Sequence, residues 1–332
     1  MTFADQHLGT ELAADLAAVT GLLEIAEQLG ISHVFDSGEP FTAATLAAVA
    51  AVPEEAVTGY LEALRAAAIV AATEPAGTFR VADDYADRRY AAGYLSWSLN
   101  ANRPYLQHAA EFLRNPAEAG AKYQRNGRDV AVSSRWIGVE AFYPAAFAAI
   151  TDAKPNRMVD LGAGAGGLLI QVLGALPQAT GVALDLSAGA CAEAARAGER
   201  AGVADRLTVV ERSIQSIVDD PTPVRGADLI HAGFVFHDML PDEEDTFDAV
   251  LKTCRDELAP GGRVAITDAV PYAPAERERR FSALFTYLHA AFMGRQLLTE
   301  DQWRAKFAAA GFSDVRVVTH KFPTGRLFLA EK

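Results

Sequence analysis

Apolar residues recur at helical spacing through residues 11–31, ELAADLAAVTGLLEIAEQLGI, and the run reaches Gly30 at a position suited to a C-cap. The next segment, FTAATLAAVAAVPEEAVTGYLEALRAAAIV, predicts Thr42 as an N-cap, a short helix, a break at VPEE and a second helix whose first turn is acidic. AATEPAGTFRVADDY then predicts a hairpin with its turn near Pro75 to Gly77. Two helices at this spacing followed by a hairpin predict a winged helix. Residues from about 95 to 150 are helical and aromatic, with one polar interruption at AKYQRNGRD. From about 155 the pattern changes to short apolar runs separated by helical stretches. RMVDLGAG, TGVALDLS, RLTVVERS, ADLIHAGFVF and GRVAITDAV are the strand candidates, and FSDVRVVTHKFPTGRLFLAEK predicts two more. The expected organisation is a mostly helical winged-helix domain over 1–95, a helical linker over 96–152 and a Rossmann-like α/β domain over 153–332.

At 332 residues, half of them hydrophobic, the chain is long enough for two ordinary cores. Its formal net charge of -13 argues against a nucleic-acid partner, because phosphate backbones are held by clustered Lys and Arg. The winged-helix segment sharpens that point. Between Asp36 and Arg89 stand nine acids (Asp36, Glu39, Glu54, Glu55, Glu62, Glu74, Asp83, Asp84, Asp87) against four arginines (Arg65, Arg80, Arg88, Arg89). The second helix carries Glu54, Glu55 and Glu62 where a duplex would require cations, so a structural or dimerising role is expected. Cys191 and Cys254 are the only cysteines and form no CxxC pattern, which fits a reducing compartment without disulfides. The acidic start MTFADQHLGTELAADL and the lack of a long apolar run predict a soluble, cytoplasmic protein without membrane partners.

VDLGAGAGG places Gly162, Gly164 and Gly166 between a strand and a helix, where the backbone turns sharply and helix N–H groups face a ligand. Asp185 closes the next strand, 25 residues after Asp160, the usual place for an acid that accepts ribose hydroxyls. Asp160 itself separates two ligand classes. A carboxylate before the glycines repels a dinucleotide pyrophosphate but suits a cationic sulfonium carrying an amino-acid tail. DLGAGAG resembles motif I of class I S-adenosylmethionine-dependent methyltransferases, and ELAPGGRVAITDAV resembles a later strand-turn element of that superfamily. The order of acidic winged helix, helical linker and α/β domain resembles the dimeric small-molecule O-methyltransferases along essentially all of the chain. The resemblance implies a homodimer that binds S-adenosyl-L-methionine through Asp160, Gly162, Gly164, Gly166, Asp185, Leu186, Ser213, Ile214 and Gly233. Ser213 departs from the family pattern: an acid usually stands there to meet the adenine amino group, and Glu211 lies two residues earlier.

FVFHDMLPDEED resembles the segment in which plant-like O-methyltransferases carry a histidine that deprotonates a phenol, which makes His237 a candidate general base. His289, 52 residues downstream in FTYLHAAFMG, opens a second possibility with Asp238: two histidines and one carboxylate that leave metal positions open to a bidentate substrate. HD at 237–238, LHAAFMG at 288–294, SWSLN and KYQRNG together resemble the bacterial α-keto-acid C-methyltransferases. That closer resemblance implies His237, Asp238 and His289 as ligands of an iron or zinc ion that binds a 2-oxo acid and stabilises its enolate for methylation at the β-carbon. It also implies Arg125 as a partner of the substrate carboxylate and Trp97 as a pocket wall. Phe234, Phe236, Phe292 and Met293 are candidates for the substrate side-chain pocket. O-methylation with His237 as base stands beside this as the alternative.

Overall fold

The computed structural model describes residues 3–332, with side chains from residue 11 onward. The chain forms two compact units. One comprises residues 1–109 and 121–140, the other residues 110–120 and 141–332, so the segment expected as a linker is shared between them.

In the N-terminal unit the helix Phe3–Gln28 ends as the chain turns through Gly30 at φ +70°. Strand β1 (Phe41–Thr42) leads into the helix Ala43–Ala50, and the Thr42 side chain accepts a hydrogen bond from Thr45 N–H, the predicted N-cap. The helix Glu54–Ala66 follows, then β2 (Val70–Thr73) and β3 (Thr78–Val81), an antiparallel hairpin closed by Thr78 N–H donating to the Pro75 carbonyl at 3.1 Å. β1 pairs with β3, so the small sheet runs β1-β3-β2. Leu23, Ile31, Phe35, Leu46, Leu61 and Leu64 supply its core, and Glu27 is buried where Trp136 Nε1 donates to it at 3.0 Å and Arg135 pairs with it.

The second unit is a seven-stranded sheet of β4 (Arg157–Leu161), β5 (Thr180–Asp185), β6 (Leu207–Glu211), β7 (Leu229–Gly233), β8 (Arg263–Ala269), β9 (Ser313–Thr319) and β10 (Gly325–Glu331). The order is β6-β5-β4-β7-β8-β10-β9, with β10 antiparallel to both its neighbours and the other pairs parallel. β4, β5, β7 and β8 read as nearly continuous apolar runs because both faces are covered. Val159, Leu161 and Ile230 pack toward Phe247 and Val250 on one face, while Met158 and Leu229 pack with Leu169 and Val172 on the other. The chain builds outward from β4 to β6, then returns to place β7 on the opposite side of β4. The crevice at the carboxyl ends of β4 and β7 is therefore the topological switch point, where ligands bind in open α/β sheets. Among the described residues, no helix is long and apolar enough to cross a membrane.

The helix Glu276–Ala291 is tied to β10 by a buried ion pair. Arg326 donates through Nη1 and Nη2 to Glu278 at 3.1 and 3.3 Å and through Nε to Glu300 at 2.6 Å, and Glu278 is only 2 % exposed. Removing Arg326 leaves buried Glu278 with the half-exposed Arg277 at 3.1 Å as its remaining cation, so the loss is expected near the lower end of the about 3–5 kcal/mol that a stranded buried charge costs, whereas replacing both with apolar residues costs much less. Arg326→Met is therefore expected to lower the urea unfolding midpoint strongly, and Arg326→Met with Glu278→Leu to restore most of it.

His320, between β9 and β10, is buried against Phe142 and Phe322, and neither ring nitrogen has a hydrogen-bond partner. Burial, aided by the cations Arg326 and Arg277, pushes its pKa from 6.5 down to about 4. The native state then binds fewer protons than the unfolded chain between those values, so stability drops as pH falls through that window, by about 3 kcal/mol at its lower end. Thermal unfolding of His320→Phe is expected to be less sensitive to pH between 6.5 and 4 than that of the parent chain.

Candidate functional site

β4 runs directly into the glycine loop. Gly162 has φ +70°, and a Cβ added there would lie 2.4 Å from Val235 Cγ1, so only glycine permits this approach of the loop to the end of β7. Gly164 and Gly166 also have positive φ, and Gly166 caps the helix Gly167–Ala175, whose N-terminal N–H groups face the crevice. Asp185, at the end of β5, accepts from Gly164 N–H at 2.8 Å and from Ser187 N–H at 2.9 Å. It thereby fixes the loop to the neighbouring strand, and each carboxylate oxygen keeps a lone pair for a ligand hydroxyl. Leu186 beside it is 74 % exposed, an apolar surface next to an acid. Arg212 N–H donates to the Asp185 carbonyl at 2.8 Å and brings the following Ser213, which precedes the turn Ile214–Ile217, to the same end of the sheet. These residues fit a bound nucleoside: apolar surface for the base, a carboxylate for the ribose and an N–H-lined loop beyond it.

Asp160 lies deeper than the sequence suggests. It is 3 % exposed, and His231 Nδ1 stands 2.7 Å from its Oδ1. No feature of the sequence singled out His231, because its partner is set by strand register: the Cα atoms of Asp160 and His231 are paired across β4 and β7. Gly233 ends β7 in the crevice.

Beyond β7 the chain bends at Phe234, a non-glycine residue at φ +56°, and enters the turn Phe236–Met239. A left-handed conformation costs a bulky residue roughly 1–2 kcal/mol and is kept where the surroundings determine it. Here Phe234 N–H donates to the Thr267 carbonyl at 2.8 Å, and its ring packs on Phe142 and Phe322 with centroids 4.8 and 5.5 Å away. The bend delivers His237 to the end of β8. His237 Nδ1 lies 2.6 Å from Asp268 Oδ1, and His237 N–H donates to Asp268 Oδ2 at 3.3 Å. With Nδ1–H held by a carboxylate, Nε2 is the acceptor nitrogen of the imidazole. Burial by itself disfavours the His237 imidazolium, but the charge and hydrogen bond of Asp268, assisted by Asp238 and opposed by Arg295, leave its pKa above the ordinary 6.5. Asp268 was absent from the sequence-derived site; the available signal was one acid inside the apolar run RVAITDAV.

His289, near the end of the helix Glu276–Ala291, is 5.2 Å from His237 between ring centroids. Its Nδ1 is 2.7 Å from the Phe285 carbonyl, and its ring stacks on Phe285 at 4.1 Å. The structure thus brings His237 and His289 together, but the expected third ligand departs. Asp238 Oδ1 is 3.8 Å from His237 Nε2, yet its side chain is 60 % exposed and shares its carboxylate with Arg295 Nε at 3.6 Å. Among the described residues, no group of three His, Cys, Asp or Glu side chains is arranged to hold a metal ion. Asp238 thus stands between the imidazole and the Arg295 guanidinium, with its carboxylate open to solvent.

The pocket candidates divide as well. Phe234 and Met293 are half-buried, and Phe292 packs on Phe112 at 5.4 Å. Phe236, expected on the pocket wall, turns instead into the core against Phe247 and Trp303, at 5.1 and 5.9 Å. Trp97 and Arg125 belong to the N-terminal unit. There Trp97 is buried and its carbonyl accepts from Asn102 Nδ2, while Arg125 lies over the Tyr105 ring at 5.8 Å.

Residues 159–264 match the family described as "Methyltransferase domain". Aclacinomycin 10-hydroxylase RdmB of Streptomyces purpurascens is 32 % identical over 147 residues, covering 44 % of this chain and 37 % of that protein. Phenazine O-methyltransferase PhzM of Lysobacter antibioticus is 30 % identical over 164 residues, covering 49 % of this chain and 45 % of its own. The chain therefore spans less than half the length of either of these relatives. The solved structure of PigF with SAH aligns over 100 % of both chains at a TM-score of 0.60 and 23 % identity, a likeness of fold. Residues 159–264 of the α/β unit thus match a methyltransferase domain, and the chain shares the fold of the PigF structure.

Proposed function

We propose that the protein transfers a methyl group from S-adenosyl-L-methionine to a hydroxyl oxygen of a small, largely apolar molecule, with His237 as general base. The observation that carries this is the buried His237–Asp268 pair at 2.6 Å. When bound, the sulfonium cofactor supplies an electrophilic methyl group, and the rest of the chemistry falls to side chains. His237 Nε2 accepts the hydroxyl proton as the oxygen attacks the methyl carbon; the carbon–sulfur bond breaks and its electron pair stays on sulfur. Asp268 holds the ring in the tautomer that can accept that proton and stabilises the imidazolium that results. Phe234 and the aromatic rings beside it offer an apolar wall for a planar acceptor. The names of the relatives, a phenazine O-methyltransferase and an aclacinomycin hydroxylase, support an acceptor drawn from secondary metabolism.

A second reading, methylation of the β-carbon of a 2-oxo acid through a metal-bound enolate, draws on one observation. His237 and His289 stand 5.2 Å apart between ring centroids, and each has Nδ1 committed to an acceptor, which leaves the lone pair of the neutral ring on Nε2. The outward pairing of Asp238 with Arg295 weighs against it.

Two copies of the chain are proposed to pair through the N-terminal unit. Its negative charge disfavours a duplex, and Leu12, Ile25 and Leu99 are exposed there at 67, 45 and 54 %. A cytoplasmic location is part of the same proposal.

Assays with methyl-labelled cofactor against a panel of phenols and 2-oxo acids separate the two chemistries. O-methylation expects label in phenols, loss on the order of 10²–10⁴-fold in kcat for His237→Gln, and most activity retained by His289→Ala. Label appearing only in 2-oxo acids, with His289→Ala inactive and metal present in protein purified without a histidine tag, would support the second reading instead. The pH profile adds a signed check. A base must be neutral, so kcat is expected to rise with pH through a value above 6.5, and Asp268→Asn is expected to move that limb downward because burial then acts unopposed by Asp268. Light scattering is expected to give about twice the 35.4 kDa chain mass; a mass of one chain would contradict dimer formation.

A further inference from the structure

Two buried ionisable groups at the switch point take no part in the proton transfer described above. Asp160 and His231 face each other across β4 and β7, with side chains 5 % and 6 % exposed, and the 2.7 Å contact joins Nδ1 to Oδ1. They lie on the sheet face packed by the helix Gly167–Ala175, since Met158 and Leu229, two residues before each, belong to that side of the core. Both therefore sit just below the glycine loop that leads into this helix.

A buried carboxylate must be hydrogen-bonded, and the usual solution is a cation such as Arg. That solution is used elsewhere in the same unit, where Arg326 neutralises Glu278. At Asp160 the partner is an imidazole, and among the described residues no Lys or Arg pairs with it. An imidazole Nδ1–H satisfies one carboxylate oxygen and leaves the other to a further donor. That second oxygen lies in a poorly solvated place, where an ammonium group is attracted more strongly than in water. Gly233 places the imidazole beside the mouth of the crevice: a Cβ there would lie in contact with His231 Cε1, at 3.4 Å.

We propose that His231 is a positioning residue of the cofactor site, holding Asp160 so that its remaining carboxylate oxygen receives the α-ammonium group of the methyl donor. This rests on the reading of the crevice as the S-adenosylmethionine site and goes beyond it by assigning a role to His231. The consequence is selective. His231 governs affinity for the amino-acid end of the cofactor and leaves the nucleoside end untouched.

Two probes differ in that end alone: S-adenosylhomocysteine and 5′-methylthioadenosine, which shares the nucleoside and the sulfur but lacks the amino acid. Calorimetric titration of both into the full chain and its variants gives the test. His231→Leu is expected to weaken S-adenosylhomocysteine binding about tenfold while leaving 5′-methylthioadenosine within about twofold, since one charge-assisted hydrogen bond is at stake. His231→Asn, whose amide N–H reaches where Nδ1–H does, is expected to stay within about threefold of the parent for both probes. His231→Gln, whose amide lies beyond Asp160, is expected to behave as His231→Leu and serves if the leucine variant fails to fold. Equal weakening of both probes would reduce His231 to a structural role and overturn the proposal, as would unchanged S-adenosylhomocysteine affinity in the Leu or Gln variant. Failure of the parent chain to bind either probe would overturn the cofactor reading itself, a result distinct from any of these.

Discussion

The candidate site depends on one buried carboxylate being satisfied. Asp268, 1 % exposed at the end of β8, accepts from the His237 imidazole, from His237 N–H and from Ala269 N–H. A buried carboxylate that lost such partners would carry a penalty of several kcal/mol, so the chain after β7 is held in the one path that supplies them. That path includes the left-handed bend at Phe234 and the short turn that follows it. The position of the proposed base, the tautomer its bond to Asp268 favours and its raised pKa are then one fact seen three ways. Each follows from where Asp268 sits on the sheet.

The same sheet sets the distance between the proposed cofactor site and the proposed base. Gly162 approaches Val235 so closely that the glycine loop and the segment leading to His237 form the two lips of one crevice. Asp185 bonds the loop to β5, and Phe234 N–H bonds the opposite lip to β8. Rigid strands on both sides therefore define the crevice in which the proposed methyl donor and acceptor would meet. The helix carrying His289 closes in from the far side of β8, anchored by Glu278 to Arg326 on β10. Chemistry that depends on orientation is well served by a frame of this kind.

Much of this was legible in the chain. Alternation of apolar strands and helical stretches located all seven strands of the large sheet, and Thr42 with the Pro75–Gly77 turn located the winged-helix elements. The glycine loop and His237 were legible because their signals are local: a turn that only glycine adopts, and a histidine next to an apolar strand end. Asp268 and His231 were not, because an acid or a histidine inside an apolar strand declares a buried role without naming its partner. Strand order decides the partner, and that order follows from packing over long separations. The expected metal triad shows how little adjacency in sequence says about direction. Neighbours in sequence, His237 and Asp238, project differently from a tight turn, and Arg295, itself fixed by its N–H donating to the His289 carbonyl at 2.8 Å, takes the carboxylate. Phe236 fails for the same reason, alternating inward to Phe247 while Phe234 stays at the surface of the crevice.

The central claim is that Asp268 holds His237 as a proton acceptor through Nε2. Nitrogen-15 NMR of histidine-labelled protein, with the His237 resonances assigned by their loss in His237→Gln, reads that tautomer directly. A neutral ring protonated at Nδ1, with Nε2 unprotonated and titrating above 6.5, is the expected result. A neutral ring protonated at Nε2, or one whose titration is the same in Asp268→Asn, would contradict the account.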